Sequence, residues 1–243
     1  MKRISAFAFG LLGTVTLANT ALAQTAGNPE RGRQIVLQGG NGLQACATCH
    51  GQHGAGQDQA GFPRLAGLNP EYLFRQIENF KTGQRQNPVM QPIAKALSDQ
   101  DARDALAYYA NQNLQMTPRP YGKDPDFRLG ESLALNGNWD KKIPACVSCH
   151  GPQAVGVGVN FPRLAGQQPT YLVNQIENWK KGSRKNDPQG LMRVVAERLS
   201  PQEALAAAHY LSSIQPGKVP PGQAAQEGGA PAAGKPATQG AAR

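Results

Sequence analysis

The residues with the clearest capacity for chemistry are four cysteines and two histidines, arranged as one pattern that occurs twice. "CATCHG" spans residues 46–51 and "CVSCHG" spans residues 146–151, and these are all the cysteines of the chain. In a Cys-x-x-Cys-His motif the two thiols can add to the two vinyl groups of a porphyrin, which places the histidine beside the iron as its proximal ligand. The pattern therefore predicts two covalently attached c-type haems, bound by Cys46, Cys49 and His50 and by Cys146, Cys149 and His150.

Other uses of paired cysteines fit this spacing less well. A structural zinc site would have its two cysteine pairs about 15 to 20 residues apart, whereas these motifs are offset by 100 residues. A thioredoxin-like redox pair would lie beside a βαβ pattern, which the sequence lacks. Two local disulfides are compatible with an exported chain. At this point zinc and disulfides stay open as alternatives to haem.

The sixth ligand of each iron decides between electron transfer and catalysis. Met90 and Met192 follow His50 and His150 at equivalent distances, and each is predicted to lie in a loop before the last helix of its repeat. A lone methionine usually fills a gap in a core, but recurrence in both repeats favours iron ligation. A thioether raises the reduction potential and closes the iron to substrates. Met90 and Met192 as metal ligands therefore predict an electron carrier and not an enzyme.

The elements that position these residues repeat with a period of about 100 residues. "FPRLAGLNPEYLFRQIENFKTGQR" from Phe62 matches "FPRLAGQQPTYLVNQIENWKKGSR" from Phe161. Apolar residues at helical spacing predict a helix that begins at Pro70 and ends before Gly83, and the second repeat has the same pattern. No alternating strand pattern occurs. The chain is therefore predicted to be all-α, with two similar lobes.

Four segments are predicted along the chain. The first residues have the charged, apolar and small-residue regions of a secretory signal, with cleavage after Ala23. A stretch rich in proline, glycine and aspartate separates the lobes, and the C-terminal residues are mostly glycine, alanine, proline and glutamine, which predicts disorder. The expected segments are a signal peptide over 1–23, a first lobe over 24–117, a second lobe over 118–215 and a disordered tail over 216–243.

The charge pattern limits the classes of partner. Without Lys2 and Arg3 the chain carries 23 basic and 16 acidic side chains, and it has 6% aromatic residues and no basic run. This composition does not predict nucleic-acid binding. No apolar stretch reaches the roughly 20 residues of a membrane-spanning helix. We therefore expect a soluble periplasmic protein that meets the membrane only through its partners.

The doubled motif, the doubled "FPRLAG" and the paired methionines resemble class I cytochromes c, in particular the periplasmic di-haem cytochromes c4, over residues 27–215. The resemblance implies two helical lobes, each wrapped around one covalently attached haem and related by a pseudo-twofold axis. It also implies transfer of electrons from a membrane quinol-oxidising complex, the donor, to a terminal oxidase, the acceptor.

The same resemblance implies roles for residues outside the motifs. The backbone carbonyls of Pro63 and Pro162 would accept a hydrogen bond from the proximal histidines. Arg64 and Arg163 would contact haem propionates, with a solvated surface position as the alternative. A glycine at Gly32 and at Gly130 would let the first and last helices of each lobe cross closely.

Two other functions compete with a free electron carrier. Similar lobes form the di-haem cytochrome subunit of a periplasmic dehydrogenase, such as the partner of a flavoprotein in a flavocytochrome. A di-haem peroxidase-like enzyme is the third hypothesis, and it would need one open iron. The symmetrical Met90 and Met192 argue against the third.

Overall fold

The computed structural model describes residues 26–40, 42–113 and 125–215, which form two helical lobes. The first lobe contains α1 (Pro29–Gln38), α2 (Ala47–His50), α3 (Pro70–Thr82), α4 (Met90–Ala96) and α5 (Asp99–Ala110). The second contains α6 (Pro125–Leu135), α7 (Cys146–His150), α8 (Pro169–Lys180), α9 (Leu191–Arg198) and α10 (Pro201–Ser213). Over these residues the fold has isolated β-bridges and no strand, which confirms the all-α prediction.

Most of the predicted segment boundaries fall on residues that the structure does not describe. The predicted signal over 1–23, most of the linker and the tail over 216–243 lie outside the described residues, so these assignments stay predictions. In the described part of the chain, no helix has the length and apolar character that crossing a bilayer requires.

Helix α3 shows how local sequence sets the ends of the elements. The side chain of Asn69 accepts a hydrogen bond from the backbone N–H of Tyr72 (3.0 Å), and Pro70 is the first helical residue. Gly83 ends the helix in the left-handed conformation, at φ 77°. The predicted start and end of α3 are therefore confirmed. Its counterpart α8 begins at Pro169 as predicted.

Each lobe is closed by its first and last helices, which cross at a glycine. A Cβ atom on Gly32 of α1 would lie 1.9 Å from the carbonyl oxygen of Asp104 in α5. A Cβ atom on Gly130 of α6 would lie 2.1 Å from the carbonyl oxygen of Ala206 in α10. Because backbone atoms occupy that space, any larger residue would push the helices apart, as the family resemblance implies.

The first lobe packs around two apolar clusters. One contains Phe80 of α3, and Met90 packs against it. The other contains Val36 and Tyr109, and Cys46 packs against it. The expected thioether ligand and the haem-attaching cysteine are therefore supported by different clusters.

The two lobes meet through paired backbone and side-chain hydrogen bonds. The N–H of Gln86 donates to the carbonyl of Ser183 (2.8 Å), and the N–H of Lys185 donates to the carbonyl of Gln84 (2.7 Å). These bonds surround an antiparallel bridge between Arg85 and its repeat counterpart Arg184. The contact therefore joins equivalent residues of the two lobes.

Candidate haem sites

The proximal histidines are oriented by backbone carbonyls. His50 Nδ1 lies 3.1 Å from the carbonyl oxygen of Pro63, and His150 Nδ1 lies 2.7 Å from that of Pro162. Since a carbonyl only accepts, Nδ1 carries the hydrogen and Nε2 keeps the lone pair that a metal needs. Burial lowers the pKa of both imidazoles more than the contact with the proline carbonyl raises it. Both rings are therefore neutral, which is the form that binds iron.

The residues beside each proline complete the support of the ring. The ring centroid of Phe62 lies 6.3 Å from that of His50, and the Phe161 and His150 centroids are 6.1 Å apart. The N–H of Gly56 donates to the carbonyl of His50 (2.9 Å). The repeated "FPRLAG" is thus the segment that fixes the proximal imidazole.

None of the four motif cysteines forms a disulfide, so each can supply a thiol to a haem vinyl group. Burial raises the pKa of the Cys46 thiol, and it raises the pKa of the Cys146 thiol to about 11. Both are therefore protonated at neutral pH, and a thiol is the group that adds across a vinyl double bond to form a thioether.

The two methionines occupy equivalent positions, but the predicted loop is wrong. Met90 is the first residue of α4 and Met192 is the second residue of α9. Asn87 accepts hydrogen bonds from the N–H groups of Val89 and Met90 (3.0 and 2.8 Å), so it starts a helix that the sequence pattern did not reveal. Both methionines are half-buried. Their ligation of iron stays a prediction.

Arg64 and Arg163 lie at the contact between the lobes. Arg64 is 7% exposed, so the solvated alternative is wrong for this residue, and its backbone N–H donates to Oε1 of Gln167 in the other lobe (2.8 Å). Burial, followed by the positive charge of Arg163, lowers the pKa of Arg64 to about 10. The two arginines are therefore close enough to interact. Their contact with propionates stays a prediction.

One buried polar atom outside the predicted site residues also fits the cofactor. Trp179 is buried in α8, and within the described residues its indole N–H has no hydrogen-bond partner. A buried donor without an acceptor is rare in a native protein, and a bound cofactor carrying carboxylates would supply one. The sequence gives one indication of this donor, because "IENW" in the second repeat has tryptophan where "IENF" in the first has phenylalanine.

The two remaining histidines lie on the surface. His53 Nδ1 is 3.0 Å from Oε1 of Gln112, and His209 is an exposed residue of α10. Met116 lies outside the described residues.

Two protein families match the two lobes. The family described as cytochrome c oxidase, cbb3-type, subunit III matches residues 20–108, and the family described as cytochrome c matches residues 140–215. The two matches together cover both Cys-x-x-Cys-His motifs.

Individual relatives match over both lobes. The thiosulfate dehydrogenase electron acceptor of Stutzerimonas stutzeri (strain A1501) is 43% identical, over 84% of this chain and 94% of the relative. The structure of reduced cytochrome c4 from Pseudomonas stutzeri has a TM-score of 0.68 and 32% identity, over 78% of this chain and all of that one. The thiosulfate dehydrogenase (TsdBA) structure from Marichromatium purpuratum has a TM-score of 0.71 and 44% identity, over 76% of this chain. The match spans only 40% of that longer chain.

A doubled helical fold with a carbonyl-bound histidine and a thiol pair in each half is that of a c-type cytochrome, and this one binds two covalent c-type haems. Haem supplies one-electron oxidation and reduction, and together with the relatives above it makes this protein a di-haem electron-transfer cytochrome. The chain belongs to the cytochrome c4 family of di-haem cytochromes. The zinc and disulfide alternatives for the motif cysteines are thereby set aside.

Proposed function

We propose that this cytochrome is the electron acceptor of a periplasmic thiosulfate dehydrogenase and passes the electrons to a further redox protein. The observation that carries the proposal is the order of identities. The chain is 43% identical to a protein named as a thiosulfate dehydrogenase electron acceptor and 44% identical to part of a thiosulfate dehydrogenase structure, against 32 to 39% for the proteins named cytochrome c4. Of the functions expected from the sequence, this supports the dehydrogenase partner better than the free carrier.

In this proposal both irons are six-coordinate. His50 and Met90 bind one iron and His150 and Met192 bind the other, while Arg64 and Arg163 contact propionates. Each histidine is already fixed by a hydrogen bond to a proline carbonyl (3.1 and 2.7 Å). A ligand set that does not change with the redox state leaves little to rearrange when an electron arrives, which suits a carrier.

The proposed electron donor and the proposed final acceptor are supported to different degrees by the comparisons. A quinol-oxidising complex as donor has no specific observation in its favour. A terminal oxidase as final acceptor is compatible with the oxidase subunit family that matches residues 20–108. We place the path in the periplasm, on the predicted signal peptide over residues 1–23.

Haem reduction measured by stopped-flow absorbance tests the donor. The oxidised holoprotein is mixed either with a thiosulfate dehydrogenase and thiosulfate, or with a quinol-oxidising complex and quinol, at equal concentrations. We expect reduction by the dehydrogenase to be at least about tenfold faster, as electrostatically matched partners associate faster than mismatched ones. Faster reduction by the quinol-oxidising complex contradicts the proposal.

Thiosulfate without the dehydrogenase is the control. We expect it to leave both haems oxidised, because a six-coordinate iron offers no site for the substrate. Direct reduction by thiosulfate would instead indicate that the chain is itself an enzyme.

A further inference from the structure

The centre of the contact between the lobes is a group of polar side chains that the haem motifs do not explain. We call it the interlobe arginine cluster. Its members are Arg85 and Arg184, Gln76 and Gln175, and Tyr72 and Tyr171, three pairs that are each offset by 99 residues.

Each arginine binds both lobes. Arg85 donates to Oε1 of Gln76 in its own lobe (3.1 Å) and to Oε1 of Gln175 in the other lobe (2.7 Å). Arg184 donates to Oε1 of Gln175 in its own lobe (3.1 Å) and to Oε1 of Gln76 in the other (3.3 Å). Each also donates to the tyrosine hydroxyl of the opposite lobe, at 2.8 and 3.4 Å. The hydrogen bonds therefore follow the pseudo-twofold symmetry of the chain.

The charges of the cluster are not balanced by protein groups. Arg85 is 7% exposed and Arg184 is 5% exposed. Among the described residues no acidic side chain forms an ion pair with either arginine, and all their side-chain acceptors are amide or hydroxyl oxygens. Two like charges buried together are costly unless an anion compensates them. The cluster therefore lacks an anionic partner.

An independent observation places the missing partner beside the same residues. The guanidinium carbon of Arg184 lies 4.0 Å from the ring centroid of Trp179, whose indole N–H is the buried donor without an acceptor. The guanidinium carbon of Arg85 lies 4.6 Å from the ring centroid of Phe80, the repeat counterpart of Trp179. An acceptor that carries negative charge would satisfy the indole N–H and the guanidinium together.

The haems are the groups in the holoprotein that can supply such charge, because each c-type haem carries two propionate carboxylates. We propose that the interlobe arginine cluster binds propionates of both haems, and that Arg85 and Arg184 are positioning residues that raise the two reduction potentials. A nearby positive charge opposes the extra positive charge of ferric iron and so favours the reduced state. The proposal does not depend on which protein donates the electrons.

Redox titration of purified holoprotein variants tests the proposal. We expect Arg85→Gln and Arg184→Gln each to lower the equilibrium constant for reduction of at least one haem by about tenfold, equivalent to about 59 mV for one electron. Arg75→Gln is the matched control. Arg75 also crosses between the lobes, to Asn160, but it is exposed. Solvent screening should limit its effect to less than about twofold.

Conservative variants separate charge from packing. Arg85→Lys and Arg184→Lys keep the positive charge, so they should restore most of each potential although they lose hydrogen bonds. If the glutamine variants load two haems and match the potentials of Arg75→Gln, the arginines only hold the lobes together and the proposal is wrong. It is equally wrong if the lysine variants lose as much potential as the glutamine variants.

A crystal structure of the wild-type holoprotein gives a result even if the variants fail to fold. The expected observation is a guanidinium nitrogen of Arg85 and of Arg184 within about 3.2 Å of a propionate oxygen. Guanidinium groups that contact only the glutamines, the tyrosines and water would overturn the proposal.

Discussion

The two lobes share one fold, yet they secure the contact between first and last helices differently. In the first lobe Asp104 of α5 is fully buried. It accepts hydrogen bonds from the backbone N–H of Asn28 (2.7 Å) and from Nε2 of Gln100 (2.8 Å), and it forms an ion pair with Arg31 (3.1 Å). In the second lobe Ala206 occupies the position of Asp104.

The second lobe instead carries its charge at the start of the last helix. Ser200 and Glu203 form a reciprocal capping box, and Nζ of Lys141 lies 2.8 Å from both carboxylate oxygens of Glu203. In the first lobe the side chain of Ser98 accepts a hydrogen bond from the backbone N–H of Asp101, but no reciprocal capping box forms. The carboxylate of Asp101 pairs with Arg31 instead. The equivalent last helices are therefore secured by different charged groups, a buried carboxylate that contacts α1 in the first lobe and a capping glutamate paired with Lys141 in the second.

The two methionines that we propose as iron ligands offer the largest change that would make the lobes differ. If Met90 and Met192 are ligands, Met90→Ala should lower the reduction equilibrium constant of the first haem by about a hundredfold or more, about 120 mV, because the soft ligand is lost. It should also let that iron bind added cyanide. Met192→Ala should do the same to the second haem. Redox titration and cyanide-binding spectra measure both effects.

Met116→Ala is the control for the methionine variants, since Met116 has no counterpart in the repeat. Rapid cyanide binding by the wild-type protein, or a new open site in the Met116 variant, would contradict the ligand assignment and favour the peroxidase-like hypothesis.

Removal of the buried carboxylate should destabilise the first lobe alone. Asp104→Ala leaves the buried Asn28 N–H without its acceptor and removes one of the two carboxylates that pair with Arg31, which should cost about 2 to 3 kcal/mol in free energy of unfolding. Hydrogen exchange measured by mass spectrometry should show faster exchange in α1 and α5 and little change in α6 and α10. Asp99→Ala, at an exposed ion pair with Lys81, should have a much smaller effect. Equal changes in both lobes would mean that the lobes unfold as one unit.

The capping box should give the second lobe a smaller, pH-dependent advantage. Burial raises the pKa of Glu203, but the hydrogen bonds from Lys141 and Ser200 outweigh burial and the pKa lies below its ordinary value of 4.5. A carboxylate whose pKa is lower in the folded protein than in the unfolded chain stabilises the fold at pH values above the unfolded-state pKa. This stabilisation is lost as the pH falls through the folded-state pKa. Glu203→Gln should therefore cost about 0.5 to 1 kcal/mol at pH 7, and the difference from wild type should disappear in acid. A difference that persists at low pH would indicate a packing effect.

Much of the fold could be predicted because its signals are local or repeated. The ends of α3 follow from Asn69, Pro70 and Gly83, which act on their own helix termini. The proximal histidines can be predicted because cysteine and histidine stand at fixed spacing within one turn. The tight crossings at Gly32 and Gly130 came from the family resemblance, not from any pattern in the chain itself.

The rest could not be predicted because it depends on contacts between distant residues. Arg85 and Arg184 end the repeated segment as ordinary surface-type residues, and only the approach of the two lobes buries them. The short helix α4 begins through the side chain of Asn87, in a stretch too short to show helical periodicity. The sequence signal for these two arginines is that they repeat at an offset of 99 residues. A repeated arginine can lie on the solvent-exposed surface of each lobe or in the contact between the lobes, and the repeat alone does not tell which.

The backbone bridge between Arg85 and Arg184 has a consequence for how the halves stay together. Because each residue meets its own counterpart, the contact is self-complementary, the geometry that isologous dimers of separate subunits use. Here both partners are in one polypeptide, so association is intramolecular, at an effective concentration on the order of millimolar. Dilution that would dissociate a dimer of single lobes therefore leaves this pairing intact, and an electron entering one half always has the other within reach.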